Sequence, residues 1–132
     1  MKRMLLLAPA LALALMGCSS TKTEPLPAKP SVPVIVFKTN PEPMLVNQAG
    51  DLTATVMVNS DPVKKATVEF EIWEEGNNTP HETIPAQGDD KGHYTVHKSF
   101  AKATTYQVTI HTTTEEIHTM PTMNFTVVEA AH

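Results

Sequence analysis

The stretch Asp51-Leu-Thr-Ala-Thr-Val-Met-Val-Asn-Ser60, followed six residues later by Ala66-Thr-Val-Glu-Phe-Glu-Ile-Trp-Glu-Glu-Gly76, decides the fold. In the first segment Leu52, Ala54, Val56 and Val58 alternate with Thr53, Thr55, Met57 and Asn59. In the second, Val68, Phe70 and Ile72 alternate with Thr67, Glu69, Glu71 and Trp73. A period of two places apolar side chains on one face of a strand, whereas a helix needs apolar positions three and four apart. Each segment therefore reads as a strand with one face buried and one face wet.

The same pattern recurs outward in both directions. Tyr94 and Val96 alternate with His93, Thr95 and His97, and Tyr106, Val108 and Ile110 with Gln107, Thr109 and His111. Met123, Phe125 and Val127 share one face of a last strand, "VPVIVF" (32–37) supplies an early one, and "HETIPA" (81–86) a short edge strand. Between them lie "NSDPVKK", "EEGNNTP", "QGDDKG" and "FAKAT", rich in residues that favour turns. No segment carries a helical stripe, and no internal repeat stands out. The expected fold is all-β: an immunoglobulin-like antiparallel β-sandwich of about seven strands over residues 34–132. A domain of about 100 residues buries an adequate core. It contains no cysteine, so packing alone must stabilise it.

The N-terminus belongs to targeting, not to the fold. Lys2 and Arg3 precede the apolar run Met4–Met16, which is shorter than the roughly 20 residues of a membrane-spanning helix. Leu15-Met16-Gly17-Cys18 resembles a bacterial lipobox, with residues 1–17 as the signal peptide and Cys18 as the lipid attachment site. Cys18 is the only cysteine of the chain, and this gives it a chemical task. Acyl chains on Cys18 would anchor the protein to the cell membrane on its extracytoplasmic face. Residues 18–33, rich in Pro, Ser and Thr, read as an extended tether. Loss of Lys2 and Arg3 takes the formal charge from −4 to −6, which argues against nucleic acid as a partner.

The order of motifs along the domain resembles the YtkA-like family. "NQAGDLTATVMVNSDPVKKATVEFEIWEEG" (47–76) is similar to its first half, "HETIPAQGDDKGHYTVHKSF" (81–100) to its middle and "TYQVTIHTTTEEIHTMP" (105–121) to its end. The resemblance spans residues 34–129. It implies a small immunoglobulin-like sandwich carried on a bacterial lipoprotein. It is also similar to the periplasmic part of FixH proteins, which are tied to copper handling.

Enzyme chemistry finds no support in the residues. "HETIP" begins like the zinc motif H-E-x-x-H, but Pro85 stands at the position of the second histidine. There is no G-x-S-x-G and no phosphate-cradling glycine loop. His93 and His97 share a strand face about 13 Å apart, too far to hold one ion. Glu69 and Glu71 read as a solvated strand face.

His118 and Met120 are different. Two residues apart on an extended chain, they face one side at a spacing of about 6.6 Å. Pro121 biases Met120 toward extended geometry. Imidazole with thioether suits Cu(I) and is poor for magnesium or calcium. Candidate third ligands are His111, His81 and Met123, although strict alternation puts Met123 with Phe125 and Val127 on the core face. Met44 and Met57 are further sulfurs without a placed partner. The chain is expected to be a monomer, and two functions stay open: a tethered Cu(I)-binding or Cu(I)-delivery module working with a copper-handling envelope protein, or a module that binds a protein or wall polymer through an exposed Trp73.

Overall fold

The computed structural model describes residues 31–130. The expected signal peptide (1–17), the expected lipid attachment site Cys18 and the expected tether up to residue 30 lie outside the described residues. Eleven strands follow in order: β1 (Val34–Asn40), β2 (Met44–Leu45), β3 (Gly50–Val58), β4 (Asp61–Pro62), β5 (Thr67–Glu74), β6 (Glu82–Pro85), β7 (Gln87–Gly88), β8 (His93–Lys98), β9 (Thr105–Thr113), β10 (His118–Thr119) and β11 (Thr122–Val128). Seven of them have four or more residues, and these are the seven that alternation predicts. The four two-residue pieces are too short to show a period.

One sheet runs β1-β3-β8-β7, with β4 also on β3; the other runs β2-β11-β9-β5-β6, with β10 also on β9. Every pairing is antiparallel except β2 with β11. The two sheets pack face to face as an immunoglobulin-type sandwich. Leu52, Ala54 and Val56 of β3 and Tyr94 and Val96 of β8 fill the core from one side. Val68, Phe70 and Ile72 of β5, Val108 and Ile110 of β9, and Phe125 and Val127 of β11 fill it from the other. Phe37 of β1 spans the layers, meeting Phe70 edge-on at 6.2 Å and Phe125 at 5.8 Å between centroids. Each fully buried side chain of this size contributes about 1.5–3 kcal/mol of apolar transfer.

Two local features hold the sheets in register. The β3–β4 hairpin turns on Asn59 and Ser60, both with positive φ (51° and 69°), the pairing that a two-residue hairpin loop of right-handed twist demands. At the other end of β3, a Cβ on Gly50 would stand 2.8 Å from the Asn40 carbonyl oxygen and 2.8 Å from Met44 Cε. Met44 is thus a core residue, fully buried. Met57 is half-buried on β3 opposite Val34, in the sheet that does not carry His118.

The hairpin β9–β10–β11 places His118 and Met120. His118 lies opposite Thr113 and Thr119 opposite Thr112; beyond Pro121, Thr122 lies opposite Thr109 and Met123 opposite Val108. The offset is the same on both sides of Met120-Pro121, so there is no bulge and Met120 lies opposite His111. The Ile110 N–H donates to the Pro121 carbonyl at 2.9 Å. The reciprocal bond is missing because proline has no N–H, and this splits one strand into β10 and β11.

Candidate functional site

The outer face of the second sheet gathers most of the residues that the sequence singles out. On β5, Glu69, Glu71 and Trp73 point outward, since Val68, Phe70 and Ile72 are buried. On β9 the outward set includes His111, since Ile110 and Thr112 are buried. His118 and Met120 continue that face on the returning strand, and Met120 is 55% exposed.

Glu71 is the hub. Its Oε1 accepts from His111 Nε2 at 2.9 Å, and its Oε2 accepts from His81 Nδ1 at 2.5 Å. Both contacts are diagonal. Glu71 is paired with Thr109 on β9 and with Thr83 on β6, and each histidine lies two residues along from that partner. A glutamate is long enough to cover such a diagonal. The hydrogen bonds from His81 and then His111 lower the Glu71 pKa from its ordinary value, against a smaller desolvation effect that raises it.

The β5–β6 register, continued one residue beyond Glu82, sets His81 opposite Trp73. Their rings stack at 4.2 Å with 8° between planes. Trp73 is therefore half-buried beneath an imidazole, not the free indole that an exposed anchor requires. This corrects the expectation of an exposed Trp73.

On the other side of Glu71 the His111 and His118 rings lie 5.8 Å apart between centroids, 30° from parallel. Imidazole nitrogens reach first-row metals at about 2.0–2.1 Å, so two rings sharing an ion have centroids roughly 5–6 Å apart. His118 Nδ1 bonds the Thr113 hydroxyl at 2.7 Å, and Nε2 has no hydrogen-bond partner among the described residues. Ile110 and Pro121 form a hydrogen-bonded pair, so the next pair, His111 and Met120, belongs to the close, non-hydrogen-bonded class with Cα atoms about 4.5 Å apart.

Met123 does not join them. It lies on the inward side of β11, half-buried against the core with Phe125 and Val127. The proline makes no bend that would turn it outward, because the register runs unbroken through residues 120–121. His93 and His97 are occupied elsewhere, by Asp89 and Asp51 at 2.7 Å each. Among the described residues no three imidazole, thiol or carboxylate groups converge on one point that could hold an ion. A set of three side-chain donors on this face would therefore have to include the thioether of Met120. Glu71 escaped the sequence reading because alternation places it and Glu69 on the same wet face; only the strand offsets separate them.

A family model described as YtkA-like matches residues 32–111. The chain belongs to the YtkA-like family. The matched residues of this YtkA-like chain end at His111, so β10 and β11, with His118 and Met120, lie beyond them. Among solved structures, the soluble domain of PmoD from a Methylocystis species is similar, with 16% identity and a TM-score of 0.48 over 64% of this chain and 76% of that chain. A comparison with curated proteins gives no match.

Proposed function

We propose that this chain is an extracytoplasmic lipoprotein, anchored to the membrane through Cys18, whose YtkA-like domain binds Cu(I) and hands it to a copper-handling protein of the envelope. His118 and Met120 are the primary ligands, with His111 as the third. His81 and Met123 leave the ligand set: His81 Nδ1 is committed to Glu71 beneath the Trp73 stack, and Met123 faces the core.

The single observation that carries the reading is the unbroken register of the β9–β11 hairpin, which brings His111, His118 and Met120 to one exposed patch of sheet. Two imidazoles with one thioether make a soft to borderline donor set suited to Cu(I). The described residues include no cysteine, so none of them offers the patch a thiol. A ligand set of this kind does not depend on a reduced compartment.

The test is a Cu(I) competition titration of the mature chain made without its signal peptide and with Cys18→Ser. The expected result is one tightly held Cu(I) per chain, lost in the His118→Ala/Met120→Ala double variant. Unchanged binding in that variant overturns the site. Anchoring is tested in parallel on the full precursor: Cys18→Ser is expected to move the protein from the detergent-extracted membrane fraction to the soluble extracytoplasmic fraction.

A further inference from the structure

Glu71 has a chemical constraint that its neighbour Glu69 lacks. An ionised carboxylate only accepts hydrogen bonds. The 2.9 Å contact to His111 Nε2 and the 2.5 Å contact to His81 Nδ1 must therefore both be N–H donations from the rings. A neutral imidazole carries one N–H, so donation from Nε2 leaves Nδ1 of His111 as the nitrogen with a lone pair. The second oxygen of Glu71 is held by His81, which is itself clamped by the stack on Trp73. The carboxylate is thus fixed from both sides, and its remaining freedom to swing away from His111 is small.

We propose that Glu71 is the positioning residue of this patch: it sets His111 in the Nε2–H tautomer and presents Nδ1 to a metal ion, with His81 and Trp73 as the brace that holds Glu71 in place. This rests on the reading of His111, His118 and Met120 as a metal patch. It also gives Trp73 a task inside the protein. Removing an outer carboxylate that orients a ligating histidine typically costs 10–100-fold in metal affinity.

Glu69 supplies the control. It lies directly opposite His111 in the β5–β9 register, on the same face and with the same charge, yet among the described residues its side chain makes no hydrogen bond. A general electrostatic effect on the patch would therefore follow removal of either glutamate. A positioning effect follows only Glu71.

The experiment has two readouts on the soluble mature chain. Long-range proton–nitrogen correlation NMR of the metal-free protein at pH 8 reads the tautomer of each ring. His111 is expected as Nε2–H in the wild type and in Glu69→Ala, and as a tautomer mixture in Glu71→Ala. Glu71→Gln tests the same point more finely: the rings sit on different carboxylate oxygens, and the amide puts an NH2 donor in place of one of them, so the ring facing that NH2 must change tautomer or let go. Cu(I) competition then reads affinity. Glu71→Ala is expected to weaken binding at least tenfold and Glu69→Ala less than twofold. A wild-type His111 in the Nδ1–H form overturns the inference, as does equal weakening by the two alanine variants. If Glu71→Ala binds like the wild type while His118→Ala does not, the metal reading stands and the positioning role falls. If neither variant changes binding, both fall.

Discussion

Thr112 is a buried residue whose hydroxyl has no hydrogen-bond partner among the described residues. It occupies the core face of β9 with no exposed surface, opposite Val68 on β5 and Thr119 on β10. Among the described residues, neither the Thr112 nor the Thr119 hydroxyl has a hydrogen-bond partner. A buried hydroxyl without a partner costs about 1–3 kcal/mol. Valine has the same branched shape, suits a strand, and replaces the hydroxyl with a methyl group that belongs among Val68 and Ile110. Thr112→Val is therefore expected to raise stability by about 1 kcal/mol or more, against the usual destabilising sign of core substitutions. In a domain of about 100 residues, each kcal/mol raises the melting temperature by roughly 4–8 °C. Urea unfolding followed by circular dichroism gives the free energy, and calorimetry the temperature. The reasoning fails if Thr112→Val is neutral or destabilising. That outcome would mean the two hydroxyls bond each other in solution, so that the single variant strands Thr119. The double variant Thr112→Val/Thr119→Val separates the cases: independent orphans give gains that add, whereas a bonded pair gives single variants without a gain and a double variant more stable than their sum.

Two further outcomes follow from the geometry. Asp89 closes the β7–β8 turn, accepting from the Lys91 and His93 backbone N–H groups at 2.8 and 3.0 Å and from the His93 ring at 2.7 Å. Desolvation pushes its pKa up, but those hydrogen bonds outweigh it and hold the carboxyl at about 2, below its ordinary 3.8. A depressed carboxylate stabilises the fold above its unfolded pKa and loses that contribution as pH falls through the folded value. Asp89→Asn is thus expected to be less stable than the wild type at pH 5, with the gap closing between pH 4 and pH 2 in acid-unfolding curves. Met123→Leu keeps the apolar volume against the core and removes the sulfur, so Cu(I) affinity in the competition titration is expected to equal that of the wild type; a tenfold loss would place Met123 in the ligand set after all.

How much of this was legible in the sequence depends on which of two quantities is asked for: the face of a residue or its offset against a neighbouring strand. Face follows from alternation, and alternation is local. It predicts the core contributions of Leu52, Phe70, Tyr94, Val108 and Phe125, and all of them are buried. It also puts Met123 inward and His118 with Met120 outward, as the sheet has them. Offset depends on turn length and on pairings between distant segments, and no local pattern encodes it. Trp73 reads as an exposed aromatic until the β5–β6 register sets His81 opposite it. Glu71 and Glu69 are interchangeable by pattern, yet only Glu71 bonds two histidines.

The turn between β9 and β10 shows why offset matters to the chemistry as well as to the fold. It has four residues, Thr114–Ile117, closed by the Thr114 N–H donating to the Ile117 carbonyl at 2.9 Å. The Thr114 side chain braces it by accepting from the Ile117 N–H and donating to the Ile117 carbonyl, both at 3.2 Å. One residue more or less in this turn would shift the return strand by one position. Because side chains alternate with a period of two, that shift would bury His118 and Met120 and expose Met123, Phe125 and Val127. The apolar face of β11 is therefore what holds the turn at this length: Phe125 and Val127 can reach the core in only one of the two phases. The same constraint delivers His118 and Met120 to the wet face beside His111. The grouping of His111, His118 and Met120 on one face is then a consequence of core packing one strand-width away, and it needs no separate device to align it. What the core does not supply is the orientation of the His111 ring, since packing of Ile110 and Thr112 sets only the direction of the neighbouring Cβ. That last degree of freedom is set by Glu71, from the adjacent strand, which is why the carboxylate and the hairpin register together define the patch.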